Sequence, residues 1–260
     1  MEIINYKKIN PEISGSYAVK DGLNLPFRIY FPQNFDIKKK YNAVICIHGG
    51  GWHSGIRDNS PWDGNDMSAH AAYYASRGYV GISFSYRSVE LAEITLANII
   101  DDCADAFEYI YNKFKFIDKR ILLGDSAGGY LAVRFAVSSN EKIRPDFAVA
   151  CNPVLQITNE FLYAVKGDKS LAKSLSLLNR KIKKCCPILF IHGKNDRIVS
   201  FCDSIKMAEI LSSKGFDAEI ELLNGTDHAF ILFDYKYEYE TVMKYIKIID
   251  KYIDGKTKGE

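Results

Sequence analysis

Apolar and polar positions along this chain follow two alternating periods. Short, near-continuous apolar runs at Tyr41–His48, Tyr79–Tyr86, Arg120–Leu123, Phe147–Val154, Pro187–His192 and Ala218–Leu223 read as strands. Between them lie segments whose apolar residues recur at three- and four-residue steps. The clearest is Asn98–Phe114, with Ile99, Cys103, Phe107, Ile110 and Phe114 on one face. Asp66–Arg77, closed by Gly78, and Tyr130–Ser138, Ser200–Lys214 and Tyr237–Ile253 also read as helices. Ser16–Lys20 and Leu25–Phe31 flank Asp21-Gly22 and predict a hairpin. Strands that alternate with helices predict an α/β protein: a mostly parallel central sheet of about eight strands, with helices on both faces. Leu155–Lys184 is longer than a simple crossover and predicts a small lid after the sixth strand. Residues 1–260 otherwise read as one domain.

Composition narrows the function classes. A chain of 260 residues, 47% hydrophobic, is ordinary for one α/β domain with a large core. A net charge of +2 supplies no drive toward nucleic acid or an anionic membrane. No apolar run approaches the ~18 residues of a membrane span, and Met1–Pro11 lacks the apolar core of a secretory signal. The six cysteines form no C-x-x-C pair. Cys46 and Cys151 fall inside strands, and Cys185-Cys186 are too close to bridge without strain. These features predict a cytoplasmic protein without structural disulfides, with no membrane or nucleic-acid partner and with its assembly open, a homodimer included.

The candidate chemistry centres on Gly124-Asp125-Ser126-Ala127-Gly128-Gly129, which follows an apolar run and leads into a helix. A serine on so sharp a turn is exposed at the carboxyl edge of a sheet, and the glycines leave it room. A hydroxyl needs a base and an orienting acid to become a nucleophile. His228 follows the strand Ala218–Leu223, and Asp196 follows Pro187–His192, so both stand at strand ends where ligands of open α/β sheets bind. Asp203 lies within the next helix and Asp227 adjoins the base, which makes both weaker acids for the role. The catalytic candidates are therefore Ser126, Asp196 and His228. His48-Gly49-Gly50-Gly51-Trp52 follows another strand, and the N–H groups of Gly50, Gly51 and Ala127 are candidate oxyanion donors.

The order Ser126, Asp196, His228, the glycine run and the serine turn together resemble the HGGG-type α/β-hydrolases, the bacterial carboxylesterases that include hormone-sensitive-lipase-like esterases. Ser85-Tyr86-Arg87, Asp102 with Ala106, and the loop Gly193–Val199 also resemble that group. The resemblance implies an α/β-hydrolase fold and hydrolysis of short acyl esters through an acyl-serine, without a cofactor. Two departures stand out: Ser200 replaces a common proline, and no proline precedes the helix at Asn98. No large N-terminal lid is evident, which points to short acyl groups, acetyl foremost, on a small alcohol that includes carbohydrate. The His-Gly-Gly-x-Trp pattern also resembles kynurenine formamidases, so an aryl formamidase is an alternative. A non-catalytic small-molecule binder on the same fold is another.

The polar, aromatic loop after the glycine run offers Trp52, His53 and Trp62 as substrate-binding candidates, with Asp63 and His70 nearby in sequence. The histidines lack the acidic ligands in series that a metal site requires, so no metal is expected. His48 and His192 are expected to support their loops, and Asp125 to fix the serine turn. Tyr235–Tyr239 reads as surface and core filler.

Overall fold

The apolar runs become strands and the periodic segments become helices in the computed structural model, which describes residues 6–60, 67–233 and 235–258. Eight strands form one sheet in the order β1-β2-β4-β3-β5-β6-β7-β8. They are β1 (Ile13–Lys20), β2 (Leu23–Tyr30), β3 (Tyr41–Ile47), β4 (Val80–Phe84), β5 (Ile117–Asp125), β6 (Phe147–Cys151), β7 (Ile188–Gly193) and β8 (Ala218–Leu223). The helices are α1 (Ser68–Ser76), α2 (Leu96–Lys113), α3 (Ala127–Ala136), α4 (Lys169–Leu175), α5 (Phe201–Ser212) and α6 (Tyr239–Lys258). The chain falls into two compact units, Met1–Leu122 and Leu123–Glu260.

In the first unit β1 and β2 form the expected antiparallel hairpin. Its turn places Asp21 at φ 50° and Gly22 at φ 76°, the paired left-handed conformations that match hairpin twist. β2 runs antiparallel to β4, and β4 parallel to β3. All five residues of β4 are buried, as a strand covered on both faces requires. α2 begins at Leu96 rather than Asn98. Thr95 and Asn98 form a capping box that satisfies N–H groups of the first turn, and this moves the start forward without a proline. Leu96, Ile99, Cys103, Ala106, Phe107 and Ile110 are buried on its apolar stripe. Each large side chain there contributes roughly 1.5–3 kcal/mol.

Within this unit Asp102 of α2 is completely buried. Arg87 donates to it from Nε (2.9 Å), Nη2 (2.7 Å) and its backbone N–H (3.1 Å), and Lys20 Nζ lies 3.0 Å away. Arg87 also pairs with Asp21 in the hairpin turn, and Lys20 with Asp105. The cluster thus ties the hairpin to α2.

In the second unit β6, β7 and β8 run parallel. β6 and β7 are buried throughout, whereas β8, last in the sheet, exposes Glu219 and Glu221 and half-buries their neighbours. The predicted lid segment holds a 3-10 turn at Asn159–Val165, α4, and a second turn at Leu177–Asn179. Asp168 caps α4 by accepting from the N–H groups of Ser170 and Leu171. The segment docks on α3, where Tyr130 Oη donates to Leu175 O (2.9 Å), and on α5, where Gln156 Nε2 donates to Asp203 (3.0 Å). No described helix is long and apolar enough to cross a membrane.

Candidate active site

Ser126 sits between β5 and α3 with φ 54° and ψ −114°, a conformation that L-residues avoid. Two close approaches hold it there. A Cβ on Gly124 would lie 2.1 Å from Gly128 O, and one on Gly129 would lie 2.7 Å from Cys151 O, so only glycine fits either position. Ser126 N–H donates to Cys151 O at the end of β6 (2.8 Å), and Tyr130 N–H donates to Ser126 O (3.0 Å). The strain is thereby fixed by its neighbours, and the hydroxyl is held at the helix start.

The other two predicted catalytic side chains meet it. His228 Nε2 is 2.9 Å from Ser126 Oγ, and His228 Nδ1 is 2.6 Å from Asp196 Oδ2. Residues 102 positions apart in sequence are thus joined by one hydrogen bond. The Asp196 side chain is completely buried, the His228 side chain is 12% exposed and Ser126 is 8% exposed, so the acid is the most enclosed of the three.

Asp196 is held on both oxygens. Oδ1 accepts from Ile198 N–H (2.8 Å) and Val199 N–H (2.9 Å). Oδ2 accepts from His228 and from His192 Nε2 (3.1 Å). Burial alone would raise the pKa of this carboxyl, but the bonds from His192, His228 and Val199 outweigh it and hold the group well below the usual carboxylate range. His192 is fully buried, and its Nδ1 lies 2.8 Å from Ser204 Oγ. Nε2 donates to Asp196, and Nδ1 and the Ser204 hydroxyl share the second bond of the ring. This is the supporting role expected of it. Burial pulls the His228 pKa down, yet the Asp196 hydrogen bond and the charges of Asp125 and Asp196 carry it above its ordinary value.

The loop bearing His228 is braced in a way its sequence does not advertise. Asp227 N–H donates to Tyr237 Oη (2.8 Å), and Thr226 Oγ1 and Tyr245 Oη are 2.9 Å apart. Tyr237 and Tyr245 meet edge to face at 6.1 Å. Tyr237 is therefore a brace for the base loop rather than filler. The Asp227 carboxylate pairs with Lys236 (2.5 Å) on that same loop, as its exclusion from the acid role requires. The only local signal was a run of tyrosines just beyond the histidine.

In the first unit, Gly50 (φ 84°) and Gly51 (φ 59°) adopt the left-handed backbone. A Cβ on Gly50 would fall 2.0 Å from Ser54 Oγ. Gly50 O accepts from the N–H groups of His53 (3.0 Å) and Ser54 (3.3 Å), which closes the turn. His48 is buried, stacks on Tyr86 at 4.3 Å and lies 2.9 Å from Ser85 Oγ through Nε2. It supports the glycine run, as expected. Trp52 is fully buried with φ 64°, and its C=O accepts from Val89 N–H (3.1 Å). Its ring serves as an anchor of the loop instead of an open stacking surface. His53 is partly exposed, 3.8 Å from Glu90. Trp62 and Asp63 lie outside the described residues. Ala127 opens α3, where the first N–H groups have no partner within the helix.

Residues 27–160 match the family model BD-FAE. A probable dipeptidyl-peptidase 5 from Aspergillus niger is 26% identical over 255 residues, covering 85% of this chain and 34% of that protein. The chain therefore spans about a third of the length of that curated relative. Thermogutta terrifontis esterase 2 phosphonylated by sarin superposes with a TM-score of 0.81 at 20% identity, with 98% of each chain covered. The propionate-bound form of the same esterase gives 0.78 at 22% identity over 94% of each chain. At these identities the likeness is one of fold, an eight-stranded α/β-hydrolase sheet with its helices.

Proposed function

The chain belongs to the BD-FAE family, and from that premise we propose that it is a serine esterase that hydrolyses short-chain carboxylic esters. The observation that carries the proposal is the hydrogen-bonded series Ser126 Oγ, His228 Nε2 and Nδ1, Asp196 Oδ2, with the serine on a strained turn. In the proposed cycle Ser126 Oγ attacks the acyl carbonyl while His228 Nε2 takes its proton. His228 returns that proton to the leaving alcohol, and Asp196 holds the imidazole with Nδ1–H directed at its carboxylate. Water, deprotonated by the same Nε2, then cleaves the acyl-serine and releases the acid. Gly50, Gly51 and Ala127 are assigned the oxyanion, on the resemblance of their motifs and on the glycine backbone that lets a reacting carbonyl approach.

Short acyl groups, acetyl first, are supported by the brevity of the 155–184 segment, which holds one seven-residue helix and two short turns. The esterase of like fold is described with propionate and with butyrate bound, which supports the same size class. A carbohydrate or other small alcohol is the proposed leaving group. A reducing, cytoplasmic setting is supported by the six free thiols. The test is turnover of p-nitrophenyl esters of increasing acyl length by wild type and Ser126→Ala. The acetyl ester should be cleaved fastest, and activity retained in the alanine variant would overturn the mechanism. Amide cleavage is a second reading, favoured by the likeness to the dipeptidyl-peptidase. Faster turnover of a dipeptide p-nitroanilide than of the acetyl ester would select it.

A further inference from the structure

Asp125 is a buried carboxyl for which the cycle above has no use. It closes β5 immediately before the nucleophile and is 1% exposed. Asn152 Nδ2 donates to its Oδ1 at 3.2 Å. Asn152 follows β6, is fully buried, and is held at φ 41°. Its N–H donates to Ile191 O (3.0 Å), but its side-chain Oδ1 meets no donor among the described residues. A buried acceptor without a donor keeps its whole desolvation penalty. An ionised Asp125 cannot relieve it, since a carboxylate only accepts. A protonated Asp125 can, since its O–H donates.

The ionisable groups that face Asp125 come from three directions. His228 lies on the loop after β8, Asp196 and His192 on β7 and the loop after it, and Cys151 beside Asn152 at the end of β6. Burial pushes the Asp125 pKa up to about 6, with the charges of His228 and His192 and the Asn152 bond pulling against it and Asp196 adding to it. In return, the Asp125 charge raises the pKa of His228. The two groups are therefore electrostatically linked, although no hydrogen bond joins them among the described residues.

We propose that Asp125 is a positioning residue with two states that acts through His228. Ionised, it stabilises the imidazolium that His228 becomes on taking the Ser126 proton. Protonated from water, it donates to Asn152 Oδ1, closes an acid–amide pair, and withdraws that support. The site thus carries a built-in attenuation toward acid, beyond the titration of its base. This inference rests on the esterase reading of Ser126, His228 and Asp196.

Asp125→Asn keeps the shape of the protonated acid and cannot ionise. The measurement is the ratio of wild-type to Asp125→Asn kcat/KM on p-nitrophenyl acetate from pH 5 to 8.5. The ratio should exceed one at pH 8, where wild-type Asp125 is ionised and raises the His228 pKa while the asparagine cannot. It should fall toward one as pH drops through 6, because wild-type Asp125 then becomes neutral as well. A ratio that is constant with pH, the result for a side chain that only fixes the turn, would overturn the proposal. Should Asp125→Asn not fold, a second variant that cannot ionise at position 125 gives the same decision. Asp125→Ser is smaller and equally unable to ionise, and the ratio of wild-type to Asp125→Ser kcat/KM should again fall as pH drops through 6. A flat ratio there would also overturn the proposal. Activity lost in Ser126→Ala alongside a flat ratio rejects only the role of Asp125, whereas activity retained in Ser126→Ala rejects the esterase reading itself.

Discussion

Two aspartates with completely buried side chains invite comparison, Asp102 in the first unit and Asp196 in the second. Both are surrounded by donors. Asp102 faces Arg87 and Lys20, cations with fixed charge, and the cluster closes on itself through Asp21 and Asp105. Asp196 faces two imidazoles and two backbone N–H groups, and one of the imidazoles leads to the hydroxyl of Ser126. A carboxylate paired with permanent cations stores its charge as structure. A carboxylate paired with an imidazole can pass its influence to a proton in motion. The two sites share burial and differ in whether the partner can change its protonation at working pH.

The comparison is broken most severely at the open end. Ser126→Ala should lower kcat/KM on p-nitrophenyl acetate by several orders of magnitude, about a millionfold if the three side chains act as one unit, with the urea midpoint close to wild type. Asp196→Asn keeps volume and should still cost about ten-thousandfold, because the imidazole loses its orienting anion. Asp102→Ala should act in the opposite sense. It leaves Arg87 and Lys20 facing an uncompensated buried site, and should cost about 3–5 kcal/mol in urea unfolding. The folded fraction should keep its kcat, and a large kcat loss without a stability loss would erase the distinction.

The difference is also sharpened by pH. In the proposed cycle neutral His228 is the base, and its pKa lies above the ordinary 6.5. The rate should therefore fall toward acid with a midpoint above 6.5 and be fully present well above it. A midpoint at or below 6.5 would mean that Asp196 and Asp125 do not act on the imidazole as described. The smallest expected effect is at the brace. Tyr237→Phe removes the acceptor of Asp227 N–H and should cost about 1 kcal/mol, read as a lowered unfolding midpoint with a few-fold loss in kcat.

Much of this architecture was legible in the residues. The apolar runs from Tyr41 to Leu223 became strands, and the order of Ser126, Asp196 and His228 was readable because each stands just past a strand end. That rule is local: it needs only the strand and the few residues after it. The parts that escaped depend on side chains far apart in sequence. The acid–amide contact of Asp125 with Asn152 and the clasp of Tyr237 and Tyr245 over the base loop leave no periodic trace. α2 starts two residues before the periodicity suggests because Asn98, the first expected helical residue, is the partner of the Thr95 cap. Trp52 stands as a substrate-binding candidate in the sequence because an aromatic beside a glycine loop does not disclose its burial, which is complete.

The central claim is that His228 activates Ser126, and one measurement meets it directly. Intact-protein mass spectrometry after brief exposure to a fluorophosphonate at pH 8 should show a single phosphonyl adduct, mapped by peptide analysis to Ser126, and none in His228→Ala over the same time. An unlabelled wild-type protein, or an adduct that forms equally fast without His228, would contradict the account.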